Sequence, residues 1–569
     1  MAFIPALGQS DFRMLREAGA GYVDKTAFIR ELLADPAQVL LFPRPRRFGK
    51  TINLSTLAWF LEQRSEDLSH LFHDLAVWQD PTARAHFQRH PVVFVTFKDI
   101  KAHTYADALD GIRSELQRIY RKQKALLDEG AVDEYARPRF ERILRGEATE
   151  EDCRRSLKDL SDHLALRHGR GVVILIDEYD TPIQSGFLHG FFDEVTLLFR
   201  NLLSAALKDN PSLFKGVLTG VLRIARENLF SGLNNVVVHS LLSDRYSAAF
   251  GFTPEEVAAI LPEAEDTAAE GAARLADIEA WYDGYRFGGQ VIYNPWSILS
   301  YLHSGRLGPH WVNTSSNDLI FDLLARRGLG LSPDMEALLS GDSIEARIDE
   351  NIVLRDLDAL PDAVWTFLLF SGYLKPVALR DELGARYASL AIPNLEVKVS
   401  YRDVFQSWIE RGLSGRQTVD ALCSALLRGD APDLEALLER LLLTVMSFQD
   451  PPGREPEKLY HGIILGLLVQ LEGRHEVRSN RESGFGRADV LVRGRAPGQP
   501  GVVLELKVPR RGETPEQALL AAARQVRDRR YAAELVAAGA SPVHELAVVF
   551  DGKRVWARRV EDVLAEAEG

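Results

Sequence analysis

Four apolar runs in the first 250 residues constrain the fold more than any other feature: Gln38–Phe42, Pro91–Phe97, Gly171–Ile176 and Phe214–Thr219. Each is bounded by turn or polar residues, and helix-like stretches separate them. Strands that are apolar along their whole length have both faces covered, so this alternation predicts a parallel sheet with helices on either side. A fifth candidate strand, Val236–Leu241, follows Gly232 and the Asn234–Asn235 pair. From about Pro254 to Thr444 the pattern shifts to amphipathic segments such as Asp420–Leu427 and Asp433–Leu443, broken often by Gly and Pro, and reads as a mainly helical connector. Asp450–Pro456 (DPPGREP) is the strongest boundary signal in the chain. Beyond it come a helix-like run at Leu459–Leu471, strand-like Ala488–Val492 and Val502–Lys507, an Ala-rich helix at Pro515–Ala533 and a last strand near Leu546–Phe550. That α-β-β-α-β order predicts a compact α/β module, so the chain divides into 1–253, 254–449 and 450–569.

With 569 residues, 46% of them hydrophobic and 26% charged, the composition is that of a globular protein of two to four domains. No run of 18 or more apolar residues occurs, and MAFIPALGQSDF lacks the basic-then-apolar layout of a signal peptide. Cys153 and Cys423 form neither a disulfide framework nor a CxxC knuckle. Together these readings predict a soluble, cytoplasmic chain with no membrane partner. The net charge of −13 argues against a protein that coats nucleic acid along its whole surface. Its distribution is uneven. Residues 451–569 hold 19 Lys and Arg against 17 Asp and Glu, whereas the remainder holds 49 against 64. A near-neutral tail has room for a local basic groove that takes DNA or RNA, which the acidic front does not.

Directly after the first strand comes Arg44-Pro-Arg-Arg-Phe-Gly-Lys-Thr51. Against the pattern G-x-x-x-x-G-K-[ST], Gly49, Lys50 and Thr51 match and Arg44 stands where the first Gly belongs. Gly49 lets backbone N–H groups approach a phosphate, with Arg46, Arg47 and Phe48 in the same loop. Lys50 can reach the β and γ oxygens, and Thr51 can ligate Mg²⁺. Ile52–Gln63 reads as the helix whose N-terminus faces the anion. A second strand end, Val172–Glu178 (VVILIDE), has the layout of a Walker B strand: Asp177 to hold Mg²⁺, Glu178 to orient and deprotonate water. Each motif alone also fits an ordinary helix start or a solvated surface charge; their order in an alternating β/α context favours an ATP site. Thr219 ends a further strand and could sense the γ-phosphate. Arg223 and Arg226 could reach phosphoryl oxygens within the chain or across a subunit boundary, or simply pair with Glu227 and its neighbours.

These motifs resemble those of the AAA-ATPase-like proteins that carry a C-terminal PD-(D/E)XK nuclease domain. The resemblance runs through Gly21–Thr26 (GYVDKT), Arg44–Thr51, Leu175–Asp180 (LIDEYD), Thr219–Arg226 (TGVLRIAR), Phe230–Asn235 (FSGLNN), Trp281–Tyr285 (WYDGY), Tyr293–Trp296 (YNPW) and Ser479–Asp489 (SNRESGFGRAD), nearly the whole chain. It implies an α/β protein: a P-loop, AAA-like parallel-sheet ATPase domain at 1–253, a helical connector or lid at 254–449, and a small α/β PD-(D/E)XK nuclease-like domain at 450–569. It also implies homo-oligomers with Arg fingers in trans. Links to defence or mobile elements are analogy alone. Of the aromatic segments, Tyr282, Asp283 and Tyr285 read first as residues pinning a connector to a core, with a nucleotide-facing role as the alternative.

In the tail, Asp489 begins one strand and Glu505-Leu-Lys507 ends the next. Residues i and i+2 of a strand share a face, so Glu505 and Lys507 point together. If the strands are hairpin neighbours, Asp489 and Glu505 can bracket one hard cation, Mg²⁺ or Mn²⁺, with Lys507 beside the attacking water or scissile phosphate. The competing reading is the solvated face of a half-buried strand. Glu457 could add a further carboxylate, and the resemblance implies a role for Gln525 on the helix that follows. Two functions compete: an ATP-driven or ATP-gated nuclease, and a non-catalytic ATP-dependent switch whose nuclease fold only grips nucleic acid or a partner.

Overall fold

The computed structural model describes residues 3–222, 235–261, 268–311, 333–350, 354, 357, 360, 362–401, 416–445, 460, 461, 464, 467, 468, 471, 475–483, 486–510 and 512–568. Internal contacts divide the chain into two compact units, residues 1–319 with 345–397, and residues 320–344 with 398–569.

In the first unit, β1 (Val39–Pro43), β2 (Val92–Thr96), β3 (Val172–Asp177), β4 (Leu213–Gly220) and β5 (Val236–Val238) form one sheet. Their order is β2-β3-β4-β1-β5, and every neighbouring pair is parallel. This is the expected sheet, with the fifth strand shorter than its apolar run. β1 and β3 are buried at every residue, as strands covered on both faces must be. The helices between them carry their own stop and start signals. Glu150–His168, for instance, opens on a capping box formed by Thr149 and Asp152 and closes on left-handed Gly169. It buries Cys153, Leu157, Leu160 and Leu164, three or four residues apart. Gly216 in β4 lets helix Phe192–Leu207 approach, since a Cβ there would lie 2.9 Å from Leu207 Cδ2.

The same unit contains a hairpin of β6 (Tyr285–Phe287) and β7 (Gln290–Ile292) and a sheet of β8 (Ile344–Ile348), β9 (Lys375–Glu382) and β10 (Ala385–Ala391) in the order β8-β10-β9. The stretch 254–449, read from sequence as one mainly helical connector, thus holds five strands and is shared between the two units. Short strands and an edge strand exposed along most of its length (β9) leave no apolar run to detect.

The second unit is built on β11 (His475–Ser483), β12 (Gly486–Gly494), β13 (Gly501–Lys507), β14 (Val543–Asp551) and β15 (Arg554–Arg559), in that order across the sheet. β13 and β14 are parallel and joined through helix Pro515–Arg529; the other pairs are antiparallel. The β-β-α-β part of the expected order is present with two extra strands, β11, whose sequence is largely polar, and β15. Side chains alternate between two cores. Val490, Val492, Leu504 and Leu506 join the core that includes helices Arg416–Arg428 and Ala431–Val445. Leu491 and Val503 join the core that includes helix Pro515–Arg529 and Tyr531. The break at 450–456 lies outside the described residues, as does much of Leu459–Leu471. No helix among the described residues is long and apolar enough to cross a membrane.

Candidate functional site

β1 delivers the loop Arg44–Gly49 to the N-terminus of helix Lys50–Leu61. Gly49 caps that helix in the left-handed region (φ 83°), where a side chain would be strained. The Lys50 ammonium is buried and donates to the carbonyls of Arg44 (3.0 Å) and Pro45 (2.9 Å). Burial lowers its pKa, against the pull of Glu178, Asp177 and Asp180. Phe48 is buried beside Tyr285 and Phe287, with ring centroids 4.9 and 5.1 Å away.

Arg44, at the missing-glycine position, is fully buried. Its guanidinium donates to the carbonyls of Pro43 (2.9 Å), His239 (2.6 Å) and Tyr246 (3.4 Å). It also lies 5.2 and 5.1 Å from the ring centroids of Phe250 and Phe287. Burial pulls its pKa down to about 9, still charged at neutral pH. The side chain ties the loop to distant segments and does not line the cavity described below.

β4 lies between β1 and β3, so the tips of all three meet. Asp177, buried at the end of β3, accepts from Thr51 Oγ1 (2.8 Å) and Thr219 Oγ1 (2.7 Å). Burial and the Glu178 charge raise its pKa, and the two hydroxyls and Lys50 oppose the rise. Thr219, read from sequence as a γ-phosphate sensor, thus donates to Asp177. Asp180 accepts from the backbone N–H groups of Val221 and Leu222 (2.9 Å each) and so fixes the chain leaving β4.

A cavity of about 340 Å³ opens here, and Arg46, Arg47, Gly49, Lys50, Thr51 and Glu178 line it. Phe48, Asp177 and Thr219 stand behind that wall. Sequence reasoning missed much of the rest: Ala6, Gly8, Gln9, Ser10, Lys98, Asp99, Lys101 and, on helix Pro295–Ser304, Trp296 and Leu299. The Tyr293–Trp296 motif was the available signal for Trp296. Tyr282 and Tyr285 are buried, the first exchanging hydrogen bonds with Gly308, in keeping with the pinning role. Arg223 and Arg226 lie outside the described residues.

In the second unit, β12 and β13 pair antiparallel with Val490 opposite Leu504. Asp489 and Glu505, each one step further, sit side by side on the face shared with Leu491 and Val503. Asp489 Oδ2 accepts from Leu506 N (2.8 Å), and Lys507 Nζ donates to Glu505 Oε1 (2.9 Å). Glu505 is fully buried and its Oε2 has no hydrogen-bond partner. Burial and the Asp489 charge push its pKa up to about 7, with Lys507 pulling the other way. Gln525 donates to the Tyr531 hydroxyl (3.3 Å). His461, which sequence reasoning did not single out, has Nε2 at 2.9 Å from the Asp489 carbonyl oxygen. Glu457 lies outside the described residues, among which no cluster of three or more His, Cys, Asp or Glu is set to hold a metal.

Residues 6–230 match the family described as Predicted AAA-ATPase, and residues 455–560 match the PD-(D/E)XK nuclease superfamily. Over 562 residues the chain is 29% identical to a protein of Azotobacter chroococcum mcd 1 described as "Uncharacterized protein in vnfD 5'region", and the match covers 96% of each.

Proposed function

We propose, for a chain that joins an AAA-ATPase-like domain at residues 6–230 to a PD-(D/E)XK nuclease domain at residues 455–560, that the first domain hydrolyses ATP and that this gates or drives metal-dependent cleavage of DNA or RNA by the second. The observation that carries the reading is the convergence of Lys50, Thr51 and Glu178 on one cavity, with Asp177 hydrogen-bonded to Thr51 behind it.

In the ATPase step Lys50 exchanges its two loop carbonyls for β and γ phosphate oxygens. Glu178 orients a water and takes its proton as it attacks the γ-phosphorus. Thr51 and Asp177 are the oxygen donors for Mg²⁺, which supplies charge neutralisation on the phosphates. In the nuclease domain the unpartnered Glu505 Oε2 beside Asp489 fits a hard cation, Mg²⁺ or Mn²⁺, because a buried carboxylate oxygen without a donor is costly. Lys507, which donates to Glu505 Oε1, would steady the attacking water or the scissile phosphate. A place in defence or mobile-element biology follows by analogy only.

Purified full-length protein assayed with Mg²⁺ or Mn²⁺ on single- and double-stranded DNA and RNA, with and without ATP, tests the reading. Glu178→Gln should lower ATP turnover by about 100-fold or more, and Asp489→Ala should abolish cleavage, both with the fold intact by circular dichroism. Cleavage that ignores ATP would remove the coupling and leave both sites standing. Wild type that neither turns over ATP nor cuts any polymer favours the switch.

A further inference from the structure

Seven non-glycine residues among those described have a left-handed backbone. Two of them, Arg47 (φ 67°) and Glu178 (φ 50°), line the same cavity with opposite charges. A residue with a Cβ is disfavoured in that region and stays there only where its surroundings impose it, which is why such outliers gather at functional sites. Burial disfavours the charged form of Arg47, and the Glu178 carboxylate favours it. The two side chains therefore share one electrostatic environment.

Arg47 is also held from outside the loop. Its guanidinium carbon lies 4.3 Å from the ring centroid of Trp296. Trp296 is anchored in turn: its indole Nε1 donates to the His310 carbonyl (3.2 Å) and its backbone N–H to Asn294 Oδ1 (2.9 Å). The next residue, Ser297, donates to buried Glu396 (2.7 Å). Stacking on a ring face fixes a guanidinium while its edge keeps the geometry that matches phosphate oxygens. Neighbouring Arg46 is engaged differently, donating to Gln184 Oε1 (3.4 Å).

We propose that Arg47 is a catalytic residue of phosphoryl transfer and that Trp296 is its positioning residue, so that the chain supplies its own transition-state cation. This rests on the ATPase reading above. As water attacks, its proton passes to Glu178 and a new oxygen–phosphorus bond forms. The bond from the γ-phosphorus to the bridging oxygen breaks, and its electron pair leaves with ADP. Arg47 meets the charge that gathers on the γ and bridging oxygens, the work an arginine from a neighbouring subunit does elsewhere.

The test uses full-length protein, with ATP turnover measured over a dilution series and nucleotide binding followed by a fluorescent ATP analogue. Arg47→Asn keeps a residue that tolerates the left-handed backbone. It should lower kcat by about 100-fold with a much smaller change in nucleotide affinity. Added guanidinium ion should restore part of the rate. Trp296→Ala should lower kcat and Trp296→Phe should recover most of it, since a phenyl face still supports stacking. Wild-type turnover per protomer should not fall on dilution. An Arg47→Asn enzyme with unchanged kcat, or one that loses affinity alone, overturns the proposal; so does turnover that vanishes on dilution, which would put the cation on a neighbouring copy. If wild type hydrolyses ATP and Lys50→Ala does not, the ATPase reading survives any of these failures. A wild type without turnover fails both.

Discussion

Arg44 stands where the pattern G-x-x-x-x-G-K-[ST] has its first glycine. A buried cation here caps three backbone carbonyls and fills the space between two phenyl rings. Restoring the consensus with Arg44→Gly should therefore harm the protein. Loss of those bonds and the cavity left behind should cost about 3 kcal/mol, measured as a lowered urea midpoint, and Arg44→Lys should recover only part of it. Gly220 gives a second case. A Cβ there would lie 2.6 Å from Asp180 Oδ1 and 2.8 Å from Tyr179 Cε1. Gly220→Ala should cost about 1–3 kcal/mol and displace the carboxylate that fixes the end of β4, a loss readable in the thermal melt. That Gly49, Lys50, Thr51 and Glu178 meet at one cavity, with Asp177 behind it, was legible because the two strand-end motifs tie residue type to local spacing. The partners of Arg44 were not, since His239, Tyr246 and Phe287 lie some 200 residues along the chain. Nor was Arg47's contact with Trp296.

At the scale of elements, helix Pro295–Ser304 is held through Glu396, whose carboxylate accepts from Ser297 Oγ (2.7 Å) and from Trp311 N (2.6 Å). Burial outweighs these bonds and pushes the Glu396 pKa up to about 7 from 4.5. The folded form then binds this proton more tightly than the unfolded chain, so the contribution to stability is whole below pH 4.5 and is lost as pH rises through 7. The difference corresponds to about 3 kcal/mol. Glu396→Gln, which mimics the protonated acid, should be near neutral at pH 4.5 and stabilising at pH 8, in urea melts at the two values. Elements were legible to the degree that burial was uniform. The strands of the parallel sheet announce themselves as apolar runs because both faces are covered. β9 and β11 carry mostly polar or exposed residues and take their place from pairing with β10 and β12, a long-range fact that no window of sequence holds.

At the scale of the molecule, the second unit extends upstream of its most conspicuous sequence break. Leu422, Leu426, Leu434, Leu438 and Leu441 of the two helices before residue 446 are buried in the same core as Leu504, Leu546 and Phe550 of the sheet. Each such leucine is worth about 1.5–3 kcal/mol of burial. A fragment of residues 416–569 should therefore melt cooperatively by circular dichroism. One cut at 450–569 should expose that face and aggregate or fail to melt as a unit. Composition pointed to the Pro/Gly-rich stretch because it marks where chain is irregular, whereas a domain ends where its core is closed. The first unit has the complementary property, being interrupted in sequence and completed only by residues 345–397. During synthesis the Arg44–Thr51 loop thus emerges some 350 residues before Glu396, the carboxylate that accepts from Ser297 and Trp311. A nascent chain stalled near residue 319 would carry every residue proposed above to bind phosphate but not the group that holds the Trp296 helix, so on that proposal competence for nucleotide should arrive late in translation and nearly all at once.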